Sequence, residues 1–173
     1  LSEICAAVGL AQLERLNFFL KKRRLMGNLF LKTLTLSKSD LLIPQITPKK
    51  FSHTYYTFAC LFNGKKYGIK WQEFRLKFMS FGGDGIYAAW KLVSDEKPFK
   101  DGRLKGLKSG SMQLTNSYGW GLTPVAKKLQ KNLMQFTTNQ NNKSEMSKQI
   151  NALKKTLAFF RKKTQSGFQS LTK

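Results

Sequence analysis

The chain has 173 residues, 41% hydrophobic and with 14 Phe, enough for the core of one domain and too apolar for wholesale disorder. Its 31 Lys and Arg against 9 acids give a formal charge of +22, a field that attracts polyanions but says nothing of the fold. One histidine, His53, and two isolated cysteines, Cys5 and Cys60, exclude a His-rich metal site and a disulfide framework, and no run approaches the ~18–20 apolar residues of a membrane-spanning helix.

Residues 2–33 read as one long helix. Ser2 is its cap, and Ile4, Ala7, Val8, Ala11, Leu16 and Leu20 recur at three- and four-residue steps. Gly9 within this stripe is either tolerated drift or a place where another backbone packs closely. Pro44 and Pro48 mark a connector. A strand follows from Thr54 to Phe62, closed by the tight-turn signal Asn63-Gly64. Trp71, Phe74, Phe78 and Phe81 predict a short helix that Gly82 terminates, and Ile86 to Val93 reads as a second strand.

From Pro98 to Thr123 the chain is Gly-, Ser- and Lys-rich and reads as a loop. Thr123-Pro124 starts a helix through Leu129, Leu133 and Phe136. After a polar break from Asn139 to Lys143, Ser144 is expected to cap a last helix carrying Ile150, Leu153, Leu157 and Phe160. The order is helix, strand, helix, strand, loop, helix, helix. It predicts an α+β fold, a sheet of two or three strands with helices on one side.

The chemistry legible in the residues is sparse. Gly82-Gly83-Asp84-Gly85 lacks phosphate-loop spacing and follows a helix, so it reads as a turn. His53, Tyr55 and Tyr56 gather an imidazole and two phenols at the mouth of a strand, suited to ligand contact rather than catalysis. Tyr87, Trp90, Tyr118 and Trp120 with nearby lysines could stack bases, although no nucleic-acid-binding motif accompanies them. The only basic runs are Lys21-Lys22-Arg23-Arg24 and Arg161-Lys162-Lys163, so a solvated basic face with non-specific attraction for nucleic acid is the plainer reading. No catalytic triad, carboxylate pair or metal cluster emerges.

The opening Leu1-Ser2-Glu3-Ile4-Cys5-Ala6-Ala7-Val8-Gly9-Leu10-Ala11-Gln12-Leu13-Glu14-Arg15-Leu16 resembles the DegT/DnrJ/StrS family of sugar aminotransferases. There a Ser-Glu, Ala-Ala-x-Gly-Leu-x-Gln-Leu segment opens the helix leading into the C-terminal domain. His53 to Phe58, Trp71 to Gly82, Thr123-Pro124-Val125-Ala126 and Asn151 to Phe160 are similar, in order, to later segments of the family. Lys127 stands where the family has Glu, and Gly83 to Trp90 departs from its commoner pattern.

The resemblance implies the small C-terminal α+β domain of a fold-type-I enzyme, with 1–34 as interdomain helix, 35–161 as the domain and 162–173 as a frayed basic tail. It implies pyridoxal 5'-phosphate as cofactor, an amino-acid donor (glutamate), a nucleotide-linked keto sugar as substrate, and a cytoplasmic homodimer with no membrane partner. The family's Schiff-base lysine, the acid pairing with the pyridine nitrogen and the stacking aromatic lie upstream of the matched segment. No catalytic or cofactor-binding residue is therefore expected in this chain, which reads as a fragment inactive alone. His53, Tyr55 and Tyr56 are its expected substrate-binding residues. The alternatives are a small basic nucleic-acid-binding module and a decayed gene product.

Overall fold

The computed structural model describes residues 2–96 and 123–169. Apart from Thr123, the expected loop from Pro98, with Tyr118 and Trp120, lies outside the described residues.

The expected helix over 2–33 is two helices, α1 (Glu3–Glu14) and α2 (Leu16–Ser37). Between them Arg15 takes φ −94° and ψ 1°, and its N–H reaches back to Gln12 O at 3.2 Å in a tightened turn. The apolar stripe runs through this break, so periodicity could not reveal it. Ser2 caps α1 as expected, its Oγ accepting from the Cys5 N–H at 3.4 Å. In α2, Met26, Phe30 and Leu34 recur every fourth residue and are buried.

Four antiparallel strands form one sheet: β1 (Leu42–Pro44), β2 (Thr57–Phe62), β3 (Tyr87–Ala88) and β4 (Leu133–Thr137), in the order β1-β2-β4-β3. Pro44 was expected in a connector, but it ends an edge strand, where a missing N–H is tolerated. The strand expected from Thr54 begins only at Thr57, and the one expected over Ile86–Val93 shrinks to Tyr87–Ala88. The tight turn expected at Asn63-Gly64 is a 3-10 turn, Gly64–Tyr67, leading into α3 (Trp71–Ser80).

Beyond α3 the expected glycine stop is present as a paired cap. Gly82 N–H donates to Met79 O at 2.9 Å and Gly83 N–H to Phe78 O at 3.0 Å, with Gly82 at φ 88°. The Gly82–Gly85 segment thus closes a helix.

The largest departure concerns β4. Leu133 and Phe136 were expected to extend the helix that starts at Pro124, but α4 (Pro124–Gln130) stops short and Leu133–Thr137 is a central strand. Leu129, Leu133 and Phe136 fit a four-then-three helical step, whereas Met134 and Phe136 alternating with Gln135 and Thr137 fit a strand equally well. Pairing with β2 decides between them.

The last helix, α5 (Lys143–Gln169), starts at an asparagine and not at the expected Ser144. Asn142 Oδ1 accepts from Glu145 N–H at 2.9 Å, and Glu145 returns by accepting from Asn141 N–H at 2.8 Å. It also runs on to Gln169, past Lys162 where the tail was expected to fray, because Arg, Lys and Gln are good helix formers.

All three long packed helices cover one face of the sheet. Phe58 and Phe136 sit opposite each other on β2 and β4. Phe30 of α2 lies 5.2 Å from Phe58 and 5.3 Å from Phe136, ring centre to ring centre, and Phe78 of α3 meets Phe136 edge-on at 5.4 Å. Phe74 stacks on Phe160 of α5 at 5.7 Å. Phe136→Ala should therefore cost about 3–5 kcal/mol, read as a lower midpoint in urea unfolding followed by circular dichroism.

Cys60 is buried in the same layer, and burial pushes its thiol up to about 12. Cys5 is exposed. A thiol reagent at pH 8 should thus label Cys5 in the native chain and reach Cys60 only after unfolding, as peptide mapping would read directly.

Candidate functional site

Among the described residues, the face of the sheet turned away from the helices is open. Strand alternation places Thr57 and Ala59 of β2, Gln135 and Thr137 of β4, and Tyr87 of β3 on it. At its polar end lies a cavity of about 500 Å³ walled by Tyr56, Tyr87 and Trp90, with Arg23 of α2 at its edge. These aromatics are well exposed, Trp90 at 84% and Tyr56 at 77%.

Arg23 ties the helix to this cavity. Its Nη1 donates to Tyr56 O at 2.8 Å and to Thr138 Oγ1 at 3.2 Å, and its guanidinium lies 5.6 Å from the centre of the Tyr56 ring. The Thr138 hydroxyl donates in turn to the Tyr55 carbonyl. Thr57 Oγ1 donates to Gln135 Oε1 at 3.1 Å, which fixes the cavity floor. A second hollow of about 430 Å³ shares Arg23, Thr138 and Asn139 and adds Gln140, whose buried Oε1 has no partner among the described residues.

The three residues expected to bind substrate occupy different positions. Tyr56 lines the cavity. His53 and Tyr55 lie behind it, stacked at 4.3 Å with 27° between their rings. His53 Nδ1 accepts the Tyr55 N–H at 2.8 Å, so the proton sits on Nε2, which donates to Gln45 Oε1 at 3.3 Å. Both ring nitrogens are therefore engaged. Tyr55 takes φ 51°, unusual for a residue with a side chain, at a cost of roughly 1–3 kcal/mol.

That turn is held by a close approach. A Cβ on Gly27 of α2 would lie 2.4 Å from Tyr55 Cγ, so only glycine lets the ring seat there. Strand logic missed this, because residues 54–56 are not strand. The sequence did single out Trp90 as a stacking aromatic and Arg23 within a basic run, but not their convergence on Tyr56, because they are distant in sequence.

A Schiff-base cofactor does not fit these residues. It needs a neutral amine aimed into a cavity and an acid opposite, yet among the described residues neither lysine nor carboxylate lines the Tyr56 cavity. Lys22, in the neighbouring hollow, is engaged by other groups: it donates to Asn141 O at 2.6 Å and lies 4.4 Å from the Phe18 ring. Among the described residues no three His, Cys, Asp or Glu side chains gather as a metal site, and no helix is long and apolar enough to cross a membrane.

Gly27→Ala should dislodge Tyr55 and cost at least 1–3 kcal/mol through overpacking. The check is a lowered melting temperature together with loss of the Tyr55–His53 ring-current shifts in the proton NMR spectrum.

Residues 1–80 match the profile of the DegT/DnrJ/EryC1/StrS aminotransferase family, which bears out the resemblance read from the sequence. No curated protein sequence matches the chain. Its α+β fold is shared by solved structures, among them two aminotransferases. One is sugar aminotransferase CalS13 from Micromonospora echinospora, at TM-score 0.64 and 13% identity over 90% of this chain. The other is Helicobacter pylori PseC, an aminotransferase involved in the biosynthesis of pseudoaminic acid, at TM-score 0.65 and 14% identity over 92%. The chain spans only 35% and 38% of the length of these two proteins.

Proposed function

We propose that the chain is the small C-terminal domain of a pyridoxal-phosphate-dependent sugar aminotransferase. The complete enzyme would move an amino group from an amino acid, glutamate, to the keto group of a nucleotide-linked sugar for surface polysaccharide or glycan synthesis. It would do so as a cytoplasmic homodimer. In this reading residues 1–34 connect the domains, 35–161 form the small domain and 162–173 are its basic C-terminal extension.

The observation that carries the reading is α1. Ile4 (79% exposed), Val8, Leu10 and Leu13 are all open to water, and no residue of this helix is buried. Nothing among the described residues lies within 4 Å of where a Gly9 side chain would project. An apolar helix left in water is a surface awaiting cover. It falls in the segment that matches the aminotransferase profile, and the rest of such an enzyme supplies the cover.

The cofactor belongs to that remainder. Pyridoxal phosphate supplies an electron sink for the amino-group transfer when bound, and the present chain shapes the substrate side. Tyr56 would pack on the sugar or bond its hydroxyls, with Arg23 beside it for phosphate. His53 and Tyr55 would act through the turn that presents Tyr56. Such contacts bind and orient; they move no proton.

Two outcomes test this. Incubating the chain alone with pyridoxal phosphate, followed by borohydride reduction and mass mapping, should label no single lysine stoichiometrically. In the complete enzyme, joined in frame to its upstream domain, Tyr56→Ala should raise KM for the sugar about tenfold, the loss of one good contact. The glutamate half-reaction, followed by cofactor absorbance, should survive. Its loss would assign Tyr56 to the fold or the cofactor pocket instead.

A second reading, a basic nucleic-acid-binding module, draws on the exposed Tyr87 and Trp90. It requires a salt-resistant, sequence-selective complex in a mobility-shift titration. The aminotransferase reading expects only weak binding that falls steeply with salt.

A further inference from the structure

Imidazole is the side chain whose charge ordinarily changes between about pH 5 and pH 8. His53 is the only one in this chain, and it stands half-buried at the turn before β2. Its Nδ1 accepts the Tyr55 N–H at 2.8 Å. A backbone N–H can only donate, so this contact exists only while Nδ1 carries no proton. Nε2 faces Gln45 Oε1 at 3.3 Å and keeps its proton in either charge state. Protonation of the ring therefore sets two donors, Nδ1–H and the Tyr55 N–H, against each other.

The other contacts of the turn do not change near neutral pH. Thr138 Oγ1 donates to the Tyr55 carbonyl, Arg23 Nη1 donates to the Tyr56 carbonyl, and the Tyr55 ring sits in the notch that Gly27 leaves. On the elements packed here the charged and titratable groups are the Tyr55 and Tyr56 phenols, Arg23 of α2, and Lys49 and Lys50 in the segment after β1. Residues 133–142, from β4 to the start of α5, carry none. Among the described residues no carboxylate is ion-paired with His53. The stacked Tyr55 ring, 4.3 Å away, tolerates an imidazolium but supplies no acceptor for the Tyr55 N–H. Tyr55 at φ 51° persists only while its surroundings hold it, and the His53 acceptor is one of those holds.

We propose that this turn is a proton-operated latch: neutral His53 holds Tyr55 left-handed and presents Tyr56 to the cavity, and protonation of His53 releases both. The assembled turn binds the neutral ring, so by linkage it is favoured as pH rises and lost as pH falls through the titration of that ring. On release Tyr55 returns to negative φ and the Tyr56 carbonyl leaves Arg23. The cavity then loses one of its three aromatic walls. The latch is a property of the turn and does not rest on the aminotransferase reading, which supplies only what the cavity would bind.

Proton and nitrogen NMR of the 173-residue chain, titrated from about pH 8 down to about pH 5, tests it. With a single histidine, the imidazole signals report the tautomer and the midpoint of His53 without ambiguity. At the high-pH end the nitrogen shifts should show Nε2 protonated and Nδ1 unprotonated. As the ring gains its second proton, the Tyr55 amide should become at least about tenfold less protected from exchange, after correction for the intrinsic pH dependence. That is the equivalent of one hydrogen bond. The Tyr56 amide should shift with the same midpoint. His53→Asn keeps an acceptor near the place of Nδ1, as in an Asx turn, and has no proton to gain. In that variant Tyr55 should stay protected across the whole range. A Tyr55 amide that stays protected while the imidazole titrates, or that responds with a different midpoint, would overturn the latch. So would the same loss of protection in His53→Asn. Should His53→Asn leave Tyr55 unprotected at every pH, the coincidence of midpoints in the unsubstituted chain decides the matter alone.

Discussion

One aromatic contact organises this domain: Phe58 and Phe136, paired across β2 and β4, must be covered on one side by Phe30 of α2 and Phe78 of α3. Four large rings at centroid separations near 5 Å leave no room for a water layer. The covering helices are thereby confined to a single face. β1 and β3 add to the paired strands at either edge, and α5 closes the layer through Phe160 against Phe74. What the rings exclude is as consequential as what they bury. With every packed helix of the described residues on one side, the opposite face stays open among them, and the cavity forms there.

The cavity depends on the same packing at one remove. α2 must lie close to the sheet for Phe30 to reach Phe58, and at that distance Gly27 meets the Tyr55 ring. Tyr55 is held in the left-handed region, and His53 caps the turn by accepting its N–H. Backbone strain of this kind persists only where the surroundings over-determine it. Here it sets where Tyr56 emerges, and Arg23 clamps the Tyr56 carbonyl from the helix. A core glycine and a surface phenol are thus parts of one device.

The charge has structure beneath its total. Most lysines lie on exposed faces, where they keep the chain solvated and contribute little to stability. Arg23 is set apart, its surroundings aromatic and amide-rich. α1 differs again, an apolar helix that finds no partner among the described residues, in keeping with a chain that spans about a third of its structural neighbours.

Local pattern alone determined the helix at Trp71, its glycine stop, the proline start at Pro124 and the apolar stripe of the last helix. In each case residues within one or two turns make the deciding hydrogen bonds and burials. The family resemblance also lay in the sequence, in the run from Leu1 to Leu16, and the profile match over residues 1–80 agrees with it. Tertiary structure decided the rest. Leu133 to Thr137 fits a helical step and a strand alternation alike, and only the ladder to Thr57–Leu61 makes it the sheet's central strand. Pro44 becomes edge strand because β2 lies beside it, and Tyr55 turns left-handed because Gly27 admits its ring. Arg23, Trp90 and Gln135 come to one cavity across separations that local periodicity does not encode. A residue's own neighbours choose its backbone; which side chains share a site is chosen by packing between elements.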